Sequence, residues 1–178
     1  MVGPLAFVSA WMVAGASTEG YSPVDDAISD LAATGASTRV VMTIGFVVFG
    51  ERLIAFGFSL RATLGGHAWI AAITTGACTI GVAATPLDGW SGDTVHAIFA
   101  GLGYLTIVAL PLLASMSFAR RGRRAWALAS RVTAAAAALC LVASTFGPAH
   151  GLWQRLGLTI ADAWIAIVAV TLAATPTR

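Results

Sequence analysis

The sequence predicts an all-α, polytopic membrane protein: a single domain, residues 1–178, built as a bundle of six transmembrane helices with a short amphipathic helix in the first outer loop. Only 10% of the residues are charged and 58% are hydrophobic, whereas a soluble domain carries about 25% charged residues. The apolar residues also fall into six runs, most of them close to the roughly 20 residues that a membrane helix needs. These runs are Met1 to Ala16, Thr38 to Leu60, His67 to Pro86, Val95 to Phe118, Trp126 to Phe146 and Leu152 to Ala174.

The first apolar run has two interpretations. The small residues Ala14-Gly15-Ala16 resemble a signal-peptide cleavage site, but the run lacks the positively charged segment that precedes the apolar core of such a peptide. We therefore favour a retained helix.

The arginines predict the orientation of the chain. Arg61, the four arginines between residues 120 and 124, and Arg178 lie on one side of a six-span arrangement, whereas Arg39 and Arg155 lie on the other. Because cytoplasmic loops carry the excess of positive charge, we expect a cell-membrane protein with both termini in the cytoplasm. The three outer segments are then 17–37, 87–94 and 147–151.

The composition also limits the partners. The net charge is only +2, and the arginines are not interleaved with aromatic residues, so we expect no nucleic-acid partner. Membrane lipids are the expected partners. The sequence leaves open whether the chain also binds a protein or a second copy of itself.

The first outer segment predicts a short helix over the outer mouth of the bundle. Ser22 suits the N-cap position and Pro23 the first helical position. Apolar residues then recur at helical spacing from Val24 to Leu31. Ser29 and Asp30 fall in the later part of this helix, where an acidic side chain does not favour the helix dipole, so Asp30 is a candidate binding residue.

Two other outer segments bring further ionisable groups. Asp88 and His96 flank the turn between the third and fourth helices, where a hydrogen bond between them would suit acid–base chemistry. Gln154 and Arg155 lie about one turn into the last helix, and an arginine at that depth requires a carboxylate or phosphate partner. His150 lies just before them.

Four short motifs carry a family resemblance: Tyr21-Ser22-Pro23, Ile28-Ser29-x-Leu31, Pro86-x-Asp88 followed by His96, and Gln154-Arg155. Their order resembles the DUF998 family of bacterial six-helix membrane proteins. The resemblance covers nearly the whole chain, supports the six-helix architecture and points at the outer polar residues, including Tyr21 as a binding residue. It supplies no reaction, and the charges Glu51-Arg52 depart from the pattern.

We therefore predict one outer site in which Ser29, Asp30, Asp88, His96 and Arg155 converge under the short helix. Arg155 would offset Asp30 or Asp88, the other carboxylate would orient His96, and Tyr21 and Gln154 would add binding contacts. The catalytic candidates are Asp88, His96 and Ser29.

A metal site is the less favoured alternative for the same residues. Asp88, His96 and His150, with Asp30 as a further ligand, would suit an open zinc site. However, the sequence has neither HxxxH nor HExxH spacing, and we expect no cofactor.

Charged residues inside the predicted spans require partners, because an unpaired charge in lipid is costly. We expect Glu51 to face the bundle and pair with Arg131, because the two lie at similar depths. Asp162 lies nearer the outer face, where Arg155 is a candidate partner two helical turns away.

Three functions remain open. The first is a non-catalytic protein whose outer polar pocket binds a lipid headgroup, a small molecule or a protein partner. The second is a membrane-embedded hydrolase or transferase acting on a lipid at the outer leaflet, with Asp88 and His96 as acid–base groups and zinc as an optional cofactor. The third is a small transporter or proton path through Glu51 and Asp162.

Overall fold

A computed structural model of the chain describes residues 2–174 and confirms the all-α class, with six long helices and no strand in that range. Four of the helices are long and apolar enough to cross a membrane; α1 and α3 are also apolar but shorter. Arg178 lies outside the described residues. The helices are α1 Val2–Ser17, α2 Arg39–Thr63, α3 Ala68–Ala84, α4 Gly92–Arg120, α5 Arg124–Phe146 and α6 His150–Ala173.

The six helices form a closed bundle in which each helix packs against the next one in the sequence, and α6 also contacts α1 and α4. Small residues allow the closest approach. A Cβ atom added to Gly50 of α2 would lie only 2.7 Å from the carbonyl oxygen of Gly76 in α3. Such backbone contact favours helix association in lipid, where van der Waals packing replaces the hydrophobic effect between helices.

The bundle has two chemically different ends. At one end lie the segment between α1 and α2, the α3–α4 turn and the α5–α6 turn; we call this the lid end, and we call residues 21–32 the lid. The opposite end carries Arg61, whose guanidinium lies 5.0 Å from the ring centroid of Trp69, and the four arginines between residues 120 and 124.

The predicted short helix is present in the lid, but its predicted bounds, Val24 to Leu31, are wrong: the lid holds a 3₁₀ helix, Ile28–Ala32, preceded by an isolated turn. The turn keeps the N-cap chemistry, because the Ser22 hydroxyl accepts the Asp25 N–H at 3.2 Å. The carbonyl of Val24 accepts an N–H from α6 at 2.9 Å, and those of Pro23 and Asp26 accept from an α6 side chain. Those carbonyls bond to α6 in place of a regular helical ladder.

The predicted pairing of Glu51 with Arg131 is also wrong. Both side chains are exposed on the outside of the bundle, and within residues 2–174 neither forms an ion pair. The helices that carry them, α2 and α5, are not packed neighbours. Similar depth along the membrane normal was therefore insufficient to predict proximity.

Candidate binding cavity beneath the lid

Arg155 fastens the lid to the first turns of α6. Its Nη1 atom donates to the carbonyl oxygens of Pro23 at 2.8 Å and Asp26 at 2.9 Å, and its Nη2 atom donates to the Tyr21 hydroxyl. The guanidinium also lies 5.4 Å from the ring centroids of both Trp11 and Tyr21. Arg155 is only 6% exposed, so it holds an irregular loop by several buried, charge-assisted hydrogen bonds.

Tyr21 links that arginine to the rest of the lid. Its hydroxyl donates to the Ala27 carbonyl oxygen at 2.8 Å while accepting from Arg155. Burial raises the pKa of Tyr21, although the Arg155 guanidinium opposes the shift. The phenol therefore stays protonated at neutral pH and remains available as a donor.

Two neighbours on α6 complete the attachment. The Gln154 Oε1 atom accepts the Ile28 N–H at 2.8 Å, and the Gln154 Nε2 atom donates to the Tyr104 hydroxyl of α4. Gly151 lies so close to the lid that a Cβ there would meet the carbonyl oxygen of Pro23 at 2.9 Å. An alanine at position 151 would therefore push the lid away from α6.

Beneath the lid lies a cavity of about 60 Å³. Ile28 and Ser29 of the lid form one wall, and side chains from every long helix except α5 form the others. Its aromatic lining comes from three helices and consists of Phe7, Phe46, Phe49, Phe99 and Tyr104. Its polar lining, apart from Ser29, consists of Thr75, Thr79, Tyr104, Gln154 and Asp162.

Asp162 is the one acidic side chain in this lining. It is 2% exposed, and neither carboxylate oxygen has a hydrogen-bond partner within the described part of the protein. The predicted neighbour Arg155 instead makes all of its bonds to the lid. A buried carboxyl group without a hydrogen-bond partner is costly, and such a group in a native fold requires an explanation.

The family model described as "Protein of unknown function (DUF998)" matches residues 1–171. The chain belongs to the DUF998 family. No curated protein and no solved structure matches it.

Three of the four motifs that suggested DUF998 meet in space at the lid; the Pro86-x-Asp88 and His96 motif does not. Tyr21 and Pro23 from the first motif bond to Arg155, and Ile28 from the second bonds to Gln154. In this DUF998 protein, these three motifs therefore describe the contact between the lid and α6.

Three other predicted site residues, Asp30, Asp88 and His96, take no part in the contact between the lid and α6. Asp30 is exposed, and its carboxylate accepts the Ala27 N–H at 2.8 Å within the lid. Asp88 is exposed in the α3–α4 turn. Neither carboxylate pairs with Arg155, whose partners are backbone carbonyls and a phenol. The predicted ion pair of Arg155 with Asp30 or Asp88 is therefore wrong.

His96 is buried but is bonded differently from the prediction. Its Nδ1 atom donates to the Thr85 carbonyl oxygen at 2.6 Å, and its Nε2 atom has no partner among the described residues. The predicted Asp88–His96 hydrogen bond does not form. The imidazole ties the start of α4 to the end of α3, and it does not line the cavity.

The zinc alternative lacks a ligand cluster. Across residues 2–174, no three His, Cys, Asp or Glu side chains are grouped so as to hold a metal ion. His150, one of the proposed ligands, is engaged through Nδ1 with the Ser144 carbonyl oxygen. Asp88, His96 and His150 therefore do not assemble into the predicted set.

The sequence signal for the cavity was incomplete. Ser29, Gln154 and Asp162 stand out in the sequence as polar or charged candidates, but the aromatic and threonine residues do not. Those side chains come from separate apolar runs, and each is ordinary in a membrane helix. Only the packing of five helices and the lid shows that they share one cavity.

Proposed function

We propose that this DUF998 protein binds a small organic ammonium ion in the cavity beneath the lid. The observation that carries the proposal is Asp162, a buried carboxylate without a partner in a cavity otherwise rich in aromatic rings. An ammonium ion would supply the missing counter-charge and would donate N–H groups to the carboxylate oxygens. Charge-assisted bonds of this kind are roughly twice as strong as neutral ones.

The aromatic lining supports a cation with carbon substituents. Phe7 contacts Phe46 and Phe49 with ring centroids 5.5 and 5.2 Å away, and Phe99 and Tyr104 line the cavity from α4. Aromatic faces attract cations by about 0.5–2 kcal/mol each, and cages of such rings recognise alkylammonium groups. A bare metal ion would instead favour a larger set of oxygen ligands.

The size of the cavity limits the ligand. A volume of 60 Å³ holds roughly four to six water molecules, at about 10–15 Å³ each. Methylammonium and protonated ethanolamine suit this space, whereas larger amines would require the lid to move. The Thr79 side chain and the Tyr104 hydroxyl would offer further polar contacts.

The same ammonium chemistry occurs in a free amine and in a phosphatidylethanolamine headgroup. Asp162 lies 12 residues from the first residue of α6, or about 18 Å along the helix axis. That depth favours a free amine.

The two alternative functions, a lipid hydrolase or transferase and a small transporter or proton path, are less well supported. Asp88 and His96, the acid–base candidates of the first, lie outside the cavity lining. Glu51, part of the proposed proton path of the second, is exposed on the outside of the bundle.

We also propose that the lid end faces the outside of the cell and that both termini are cytoplasmic. The arginine-rich end opposite the lid supports this orientation through the positive-inside rule. The cavity would then receive its ligand from the outer side.

Cysteine labelling tests that orientation. In a Cys78→Ala/Cys140→Ala background, we expect a membrane-impermeant maleimide to label Gly35→Cys, an exposed position at the lid end, on intact cells. Arg123→Cys, exposed at the opposite end, should react only after permeabilisation. The reverse pattern would contradict the orientation, and it would leave the cavity chemistry untouched.

The binding proposal is tested with a charged ligand and its neutral isostere. For protein in phosphatidylcholine nanodiscs, we expect ethanolamine to raise the melting temperature and 1-propanol, of similar shape, to leave it unchanged. A ligand at 100 times its Kd stabilises the folded state by about 2.7 kcal/mol, which for a chain of this size is a shift of several degrees.

Two further comparisons distinguish a lipid headgroup from a free amine and test the size of the ligand. If the lipid headgroup is the ligand, nanodiscs of phosphatidylethanolamine should stabilise the protein without added amine. If a free amine is the ligand, ethanolamine should act alone and choline should act more weakly. Equal responses to ethanolamine and 1-propanol, with no effect of the lipid, would refute the proposal.

A further inference from the structure

We propose that two copies of this chain associate in the membrane through α2, with Glu51 of each copy paired to Arg52 of the other. The starting observation is that both side chains are exposed on the outside of the bundle and that, among residues 2–174, neither has an ion-pair partner. This inference is independent of the proposed ligand.

The depth of the two charges excludes lipid headgroups as their partners. Arg52 lies 13 residues from the first residue of α2 and 11 from the last, which places it about 20 and 16 Å from the two helix ends. The hydrocarbon core is about 30 Å thick, so the charges lie near its middle. Charged side chains at that depth normally pair with one another or face a protein or water-filled interior.

The angular positions on α2 make the pair self-complementary. Successive residues are about 100° apart around a helix, so Glu51 and Arg52 flank the line that runs through Val48 and Ala55. In two parallel copies related by a two-fold axis along the membrane normal, the left flank of one helix faces the right flank of the other. Glu51 therefore meets the partner copy's arginine, and the reciprocal pair forms by symmetry.

The depth offset also fits this arrangement. Glu51 and Arg52 differ by one residue, or about 1.5 Å along the axis, so the two oppositely charged groups lie at nearly the same level in both copies. A heterologous partner would need a matching acid and base at that same depth. A second copy of this chain carries both the acid and the base at that depth.

The surroundings of the pair suit close helix approach. Ala55 and Ser59 are small and exposed on this face, and small residues favour helix packing in lipid. They and Arg52 also border a groove of about 260 Å³ between α2, the start of α1 and α6. Side chains of the second copy would fill this groove.

Charge reversal tests the pairing in proteoliposomes by single-molecule photobleaching. We expect the wild type to be dimeric, and Glu51→Arg or Arg52→Glu alone to raise the dimer dissociation constant at least tenfold, because each places like charges opposite one another. The double variant Glu51→Arg/Arg52→Glu should restore the constant to within about threefold. Arg121→Glu, an exposed change at the end opposite the lid, should have no effect.

Disulfide crosslinking tests the same face while keeping both native charges. In the Cys78→Ala/Cys140→Ala background, Ala55→Cys should form a covalent dimer on oxidation in the membrane, and Leu105→Cys, 67% exposed on α4, should not. A wild type that stays monomeric at high protein-to-lipid ratio would overturn the proposal. So would a double charge reversal that fails to rescue a dimer lost in the single variants, or equal crosslinking at positions 55 and 105.

Discussion

Replacement of Arg155 by alanine is expected to lower the free energy of unfolding by about 3 kcal/mol or more. The substitution leaves the Pro23 and Asp26 carbonyls and the Tyr21 hydroxyl without their donor, and hydrogen bonds to a charged group contribute about 1.5–3 kcal/mol each. Apart from Arg155, the bonds that join the lid to α6 in the described structure are those of the Val24 carbonyl, which accepts the Leu152 N–H, and of the Ile28 N–H, which donates to Gln154. We therefore expect the lid to detach from α6 before the bundle unfolds.

Two control substitutions distinguish the contribution of the Arg155 geometry from that of its charge. Arg155→Lys keeps the charge, but an ammonium group lacks the planar fork that reaches two carbonyls and a phenol together, so we expect only partial recovery. Arg39→Ala removes an exposed arginine at the same end of the bundle and should have little effect.

Hydrogen exchange locates the effect of the Arg155 substitutions. The Ile28 N–H, which Gln154 accepts, should exchange faster in Arg155→Ala than in the wild type. Unchanged exchange together with an unchanged melting temperature would show that Arg155 does not hold the lid.

The architecture was predictable because a single physical requirement determines it. Each span must bury its backbone polar groups in a helix within lipid, and the apolar runs match the observed helices to within a few residues. The helix bounds of α5 illustrate this: the run from Trp126 to Phe146 became Arg124–Phe146. No tertiary information was needed for this part of the fold.

The partners of the charged residues were less predictable. The position of Arg155 in the sequence predicts that it requires a partner, and the expected partner is a carboxylate or a phosphate. The real acceptors are backbone carbonyls that an irregular loop leaves free, and no side-chain pattern reports them. The predicted pairing of Glu51 with Arg131 rests on depth alone, which carries no information about the direction in which a side chain faces.

The cavity was the least predictable feature. The sequence predicts Asp162 as a charge inside a span with Arg155 as its candidate partner, and Gln154 and Ser29 as polar groups of the outer site. Their meeting with Phe7, Thr75 and the other lining residues depends on which helices are neighbours in the bundle. Local sequence does not encode that order.

Replacement of Asp162 by asparagine should weaken amine binding at least tenfold while keeping the fold intact. Asparagine has the same shape but no charge, so it removes the attraction for an ammonium ion. The buried carboxylate has no partner within the described residues. We therefore expect the substitution to raise the free energy of unfolding of the ligand-free protein, because functional sites are often kept at a cost in stability. A residue needed only for the fold would show the opposite pattern.

Glu19→Gln is the matched control for that substitution. Glu19 is an exposed carboxylate outside the helices at the lid end, so its replacement removes one negative charge from the same end of the protein. It should change neither stability nor binding by a measurable amount.

The most direct measurement is the Kd of ethanolamine for wild-type, Asp162→Asn and Glu19→Gln proteins, determined by calorimetry in phosphatidylcholine nanodiscs. We expect at least a tenfold weaker Kd for Asp162→Asn, which corresponds to about 1.4 kcal/mol or more, and an unchanged Kd for Glu19→Gln. An Asp162→Asn protein that binds ethanolamine as tightly as the wild type, or a wild type that does not bind it at all, would contradict the assignment of this cavity.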